Sequence, residues 1–181
     1  VVDVLGHVAM GLLWAVPAWA FSGRRLSLAF VGTVLLTVMV PDIDLYLPGV
    51  VHHGLTHTVL FVAIVALLGG AVLAPLAGPT LRRWWRRREG GVPSSTTLYL
   101  FVAGGLLLGG LSHLFIDMLS AGSGGNPPLE PLWPFVVRSI SIDFIYYSAF
   151  VWNGGLLAAA LAIHLVLYAF DTADTERPKR T

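Results

Sequence analysis

The residues able to do chemistry in this chain are histidines and aspartates, and they fall in a few tight groups. His7 follows Asp3 by four positions, and Asp117 follows His113 by the same spacing. Asp42 and Asp44 sit in Pro41-Asp42-Ile43-Asp44, and three imidazoles crowd His52-His53-Gly54-Leu55-Thr56-His57-Thr58. On a helix, residues four apart share a face, so each His–Asp pair can aim two donors at one centre. Pro41 predicts a segment that leaves regular helix, where two carboxylates in an apolar surround repel each other unless a cation lies between them. Thr56 is placed to cap the helix that follows, with His57 in its first turn. Gly54 then lets the loop fold His52 or His53 back, leaving the other free to reach water. Packing alone is a poor explanation for so many imidazoles in so short a stretch. Because the chain has no cysteine, thiolate metal sites, iron–sulfur clusters and disulfides are excluded. A metal would be held by imidazole and carboxylate, a donor set that suits zinc and also admits manganese.

The elements that must position these residues are membrane helices. Of 181 residues, 56% are hydrophobic and 12% charged, with a mean hydropathy of +0.77, far outside the range of a soluble domain. Five apolar stretches are long enough to cross a bilayer, at approximately 4–21, 26–41, 57–79, 97–119 and 145–170. The expected fold is therefore all-α: a polytopic bundle of about five transmembrane helices forming one integral membrane domain over 1–181, with a tail at 171–181. Ala18-Trp19-Ala20 has the look of a signal-peptide cleavage site, but Arg24 and Arg25 follow the apolar run where a signal would need them before it.

Basic residues set the orientation. Arg24 and Arg25, the run Arg82 to Arg88, and Arg177, Lys179 and Arg180 all fall on one side of an alternating five-span chain; Arg138 alone falls on the other. The positive-inside rule then predicts a plasma or inner membrane protein with its N-terminus outside and its C-terminus in the cytoplasm. Trp84 and Trp85 within the Arg run read as an interfacial anchor against anionic lipid rather than a nucleic-acid patch, so no nucleic-acid partner is expected.

Alternating helix directions bring Asp3, His7, Asp42, Asp44, His52, His53, His57, His113, Asp117 and Asp143 to the external face. Ionisable groups at membrane depth are costly and mark functional sites. His164 lies far from them in the last span and reads as a helix-packing residue. The loop over 120–144, with Pro127, Pro128, Trp133, Pro134 and Phe135, is either a lid or an interfacial anchor.

This succession of motifs resembles the inner-membrane metal-dependent hydrolase family typified by YdjM: an early His7, then Pro41-Asp42-Ile43-Asp44, then His52 to Thr58, then His113-Leu114-Phe115-Ile116-Asp117. The resemblance covers almost the whole chain. It implies that His52 and His57 are the paired histidines of the family motif, with His53 standing where an Arg is usual and Thr58 where a Ser is usual. It also implies phosphoester chemistry, since the family has been likened to the zinc-dependent phospholipase C and single-strand nuclease group.

The expected activity is that of a metal-dependent hydrolase using one or two divalent ions, zinc or manganese, on an amphiphilic phospholipid or other phosphoester reached from the surrounding membrane lipid. The expected ligands are His7, Asp42, His52, His57, His113 and Asp117. Asp42 and Asp44 are the expected catalytic carboxylates, with Asp44 as bridge, orienter or general base. Arg138 and His53 are the expected substrate contacts, and Asp3 and Asp143 further candidates for orienting a ligand. Two other classes use the same residue types: a metal-stabilised scaffold or partner-binding protein, and an ion or proton transporter. A transporter would be expected to bind at mid-membrane between repeated halves, and no repeat is present.

Overall fold

The computed structural model of the protein describes residues 4–89 and 91–176, and within them five α-helices account for the architecture. They are α1 (Val4–Ala15), α2 (Ala18–Thr37), α3 (Val59–Glu89), α4 (Ser95–Ser120) and α5 (Leu156–Glu176). Short helical turns fill the joints: 3-10 segments at Pro41–Tyr46, Leu55–His57 and Ser123–Gly125, and a π turn at Val151–Gly155. No strand forms among the described residues; one antiparallel bridge joins Leu129 to Ile140. Asp3 and the basic residues of the C-terminal tail lie outside the described residues.

Four helical stretches are long and apolar enough to cross a membrane: Ala18–Tyr46, Val59–Arg87, Ser95–Ser120 and Val151–Asp171. Two boundaries differ from the periodicity reading. α1 ends at Ala15, yet Pro17 keeps right-handed helical angles and Trp19 and Ala20 bond back to Val16 and Pro17, so the chain runs on as a tightened helix. The reversal comes at Gly23, whose φ of 62° and ψ of 159° suit glycine alone. Beyond it the chain folds back antiparallel: the Ser27 hydroxyl donates to the Ala18 carbonyl, and Gly11 packs on Val34 and Val38. At the other end of the chain, residues from Ile145 to Ala149 are irregular, and the helical stretch that leads through the π turn into α5 starts at Phe150, some five residues later than expected.

α4 is the hub, packed on α1, α2 and α3. Membrane helices approach closely where small residues remove side-chain bulk. A Cβ on Gly109 would overlap the Val34 carbonyl of α2, and one on Gly110 would overlap the Val62 side chain of α3. This pinch lies one turn before His113 and two before Asp117. Leu26, Leu81 and Leu98 share one core cluster, so the Gly23 turn, the end of α3 and the start of α4 meet at one end of the bundle. Arg24 stacks on Tyr168 there and Arg82 donates to Ser95. The imidazoles and carboxylates gather at the opposite end. The outer faces carry exposed Leu67, Leu76, Leu165 and Phe170, as expected of helices whose solvent is lipid.

Candidate metal centre

Three elements bring four side chains to a point beneath the helix ends. α4 supplies His113 and Asp117 on successive turns of one face, the 3-10 turn after α2 supplies Asp42, and the 3-10 turn before α3 supplies His57. His57, His113 and Asp117 are fully buried and Asp42 nearly so. His113 Nε2 lies 3.2 Å from His57 Nε2, 3.4 Å from Asp42 Oδ1 and 2.9 Å from Asp117 Oδ2. His57 Nε2 lies 3.4 Å from Asp42 Oδ1 and 3.5 Å from Asp117 Oδ2. Four donors at bonds of about 2.0–2.1 Å around a tetrahedral zinc ion stand about 3.3 Å apart. The cluster therefore has the dimensions of a four-coordinate site.

Hydrogen-bond chemistry makes the same point. His113 Nδ1 is 2.7 Å from the Val38 carbonyl, which can only accept, so Nδ1 carries a proton and the neutral ring presents a lone pair at Nε2. His57 Nδ1 is 3.1 Å from Asp44 Oδ2, leaving its Nε2 as the free acceptor. Two such nitrogens and two carboxylate oxygens facing one another repel unless a cation sits among them. Among the described residues, six buried side-chain polar atoms lack a hydrogen-bond partner, and four of them are here: Asp42 Oδ1, Asp117 Oδ2, His52 Nε2 and His53 Nε2. Buried polar atoms are satisfied almost everywhere else in proteins, so the concentration is that of a cluster that could hold an ion. The residues fit a divalent metal.

Around this quartet the other expected residues take distinct places. His7 donates through Nε2 to Asp117 Oδ1 at 3.2 Å and stacks on His113 with ring centroids 4.0 Å apart. It stands behind Asp117, on the far oxygen from the quartet. Asp44 is gripped by His52 Nδ1 on one oxygen, at 3.1 Å, and by the Thr56 hydroxyl on the other, at 2.9 Å. Asp42 and Asp44 thus take opposite ring nitrogens of His57. A second grouping of Asp42, Asp44, His52 and His57, and a third of His52, His53 and His57, also lie close enough to share an ion.

Neither His52 nor His53 turns away to water. His53 donates through Nδ1 to the Pro127 carbonyl at 2.7 Å, and its Nε2 faces Asp117 Oδ2 at 3.8 Å. Burial pushes its imidazole down to about 4, which keeps the ring neutral. Its backbone has a φ of 63°, a conformation that costs a non-glycine residue and recurs at functional sites. The cap of α3 is Thr58, whose hydroxyl accepts from the Phe61 N–H at 3.1 Å, and not Thr56, which is committed to Asp44. His57 accordingly precedes the helix instead of opening it.

His53 also separates the quartet from a cavity of about 380 Å³ whose far wall comes from the loop after α4, including Pro127, Glu130, Trp133 and Ser139. Pro134 and Phe135 take no part in this wall. Arg138 is exposed and lines a neighbouring groove with Leu132 and Val136, away from the quartet. Asp143 is exposed beside Gly122 and does not join the centre. His164 accepts from Trp19 Nε1 at 2.9 Å and donates to the Leu12 carbonyl at 2.8 Å, the expected packing role, tying α5 to α1 and α2. Sequence reasoning passed over Glu130 and read Thr56 as a helix cap, not as a partner of Asp44; Glu130 is the one acidic residue between Asp117 and Asp143, which was the available signal.

No curated protein and no solved structure matches the chain. The sequence pattern of a described family does match, from residue 2 to residue 177, so that the segments carrying His7, Asp42, His57, His113 and Asp117 all fall inside it. The chain belongs to the YdjM inner membrane protein family.

Proposed function

We propose that the protein is a metal-dependent hydrolase of the membrane surface, acting on a phospholipid or related amphiphilic phosphoester. The observation that carries this reading is the buried quartet of Asp42, His57, His113 and Asp117 standing next to a cavity through His53. Those four residues would hold the ion, zinc by preference of the donor set, and His52 and His53 offer two further nitrogens for a second ion or for substrate. Such an ion supplies Lewis acidity, lowering the pKa of a coordinated water from 15.7 towards roughly 7 and polarising a phosphoryl oxygen.

The chain's own residues do the rest. Asp44 fixes the tautomer of His57, and His7 orients Asp117 while packing against His113. Asp42 is the quartet's second carboxylate and a candidate to take a proton from the attacking water. The exposed apolar residues lining the cavity, Val51 and Leu55, suit a substrate that keeps its acyl chains in the bilayer. On the positive-inside rule the arginine-bearing end faces the cytoplasm and the centre faces outside.

A second reading has a specific observation in its favour. Four protein donors already complete a tetrahedron, as in structural zinc sites, so the ion would staple a scaffold. Purified protein loaded with zinc, incubated with a panel of phospholipids and scored for headgroup or fatty-acid release, separates the two. Turnover that disappears in Asp42→Asn supports hydrolysis; full metal occupancy without release from any lipid or phosphoester rejects it in favour of the staple.

A further inference from the structure

The cavity beside His53 has a chemical bias that hydrolysis of a phosphoester does not by itself require. One side is formed by His52 and His53, and the other includes Glu130, Trp133 and Ser139. The Ser139 hydroxyl donates to Glu130 Oε1 at 3.2 Å, holding the carboxylate against that wall. Among the described residues no Lys or Arg lines the cavity; Arg138 belongs to the adjoining groove, which shares Ser139 with it. The space suits a polar headgroup and is too small for two acyl chains as well. A carboxylate beside an indole is the usual recognition surface for an organic ammonium, the one supplying charge and the other the negative face of its ring.

We propose that the cavity selects lipids whose headgroup carries an ammonium beside the phosphoester, of the ethanolamine type. Glu130 and Trp133 take the ammonium, and the phosphoester lies on the His52–His53 side, towards the quartet. This rests on the reading of the centre as one that receives phospholipid. It differs from the expectation of Arg138 as a substrate contact, because the charge on the cavity wall has the opposite sign.

Binding, measured apart from turnover, tests the idea. The full chain, loaded with zinc, is equilibrated in mixed micelles holding equal amounts of phosphatidylethanolamine and phosphatidylglycerol with identical acyl chains, and the lipid adducts are counted by native mass spectrometry. The wild type is expected to favour the ethanolamine lipid by about three- to fivefold, the scale of one partly exposed ammonium contact. Glu130→Gln should bring the ratio close to unity, and Glu130→Asp should keep part of it. Soluble phosphoethanolamine shares the ammonium and the phosphoester, so an adduct as abundant as the lipid's would overturn the lipid as occupant. A wild type without preference, a preference untouched by Glu130→Gln, or one abolished by Arg138→Gln instead, overturns the assignment. Headgroup release is followed in parallel: a Glu130-dependent preference with no release on any substrate sinks hydrolysis and leaves this inference standing.

Discussion

Asp44 touches none of the quartet's open donor atoms, yet it bonds to His57, His52 and Thr56 together. Its effect is to hold a proton on His57 Nδ1 so that Nε2 stays available. Groups that orient a metal-bound imidazole in this way typically account for 10–100-fold in affinity. Asp44→Asn is therefore expected to weaken zinc binding by about 10–100-fold in competition titrations with a chelating dye, with the helical circular-dichroism signal retained. Unchanged affinity would remove Asp44 from the centre's support. At this scale the sequence was most informative where helical spacing does the work: His113 and Asp117 share a face by periodicity alone. It was least informative where the partner is backbone. Nothing marks the Val38 or Pro127 carbonyl as the acceptor that sets a histidine tautomer, and a two-residue offset decides whether Thr56 or Thr58 caps α3.

Among the elements, the sharpest dependence falls on the turn at Gly23. Its φ of 62° and ψ of 159° lie in a region that other residues reach at a cost of about 1–3 kcal/mol. Gly23→Ala is expected to destabilise the α1–α2 hairpin by roughly that amount, read as a lower midpoint for thermal unfolding in detergent. Since the hairpin delivers His7 at one end and Asp42 at the other, the variant should also bind zinc less tightly at equal protein concentration. The helices themselves were legible as apolar runs, and Arg24-Arg25 marked the neighbourhood of the turn. The breaks were less so. Pro17 lies within the expected span 4–21, and the chain passes it with 3-10 bonds, because a missing N–H and a fixed φ near −60° are tolerated in a tightened turn. The start of the last helix was read too early: in Ile145 to Ala149 the backbone bonds to Leu119 in the last turn of α4, to the Ser123 hydroxyl and within its own turn.

For the whole molecule, the gathering of every described arginine but Arg138 at one end, and of the His–Asp cluster at the other, makes orientation a direct test. The chain has no native cysteine, so single cysteines report cleanly. Val137→Cys, exposed in the loop after α4, is expected to react with a membrane-impermeant maleimide in intact cells. Val92→Cys, exposed at the arginine end, should react only after permeabilisation. The reverse pattern would turn the centre to the cytoplasm and invalidate the positive-inside assignment.

The wide separation of the converging residues along the chain also governs when the centre can come into being. Asp42 and His57 emerge from the ribosome well before His113 and Asp117, and α4 must pack into the pinch at Gly109 and Gly110 before the later pair faces the earlier one. Completion of the cluster is thus a late step of biogenesis, closed by the fourth helix, and a nascent chain halted before that helix enters the bilayer would leave two carboxylates and an unfinished histidine set exposed to quality control.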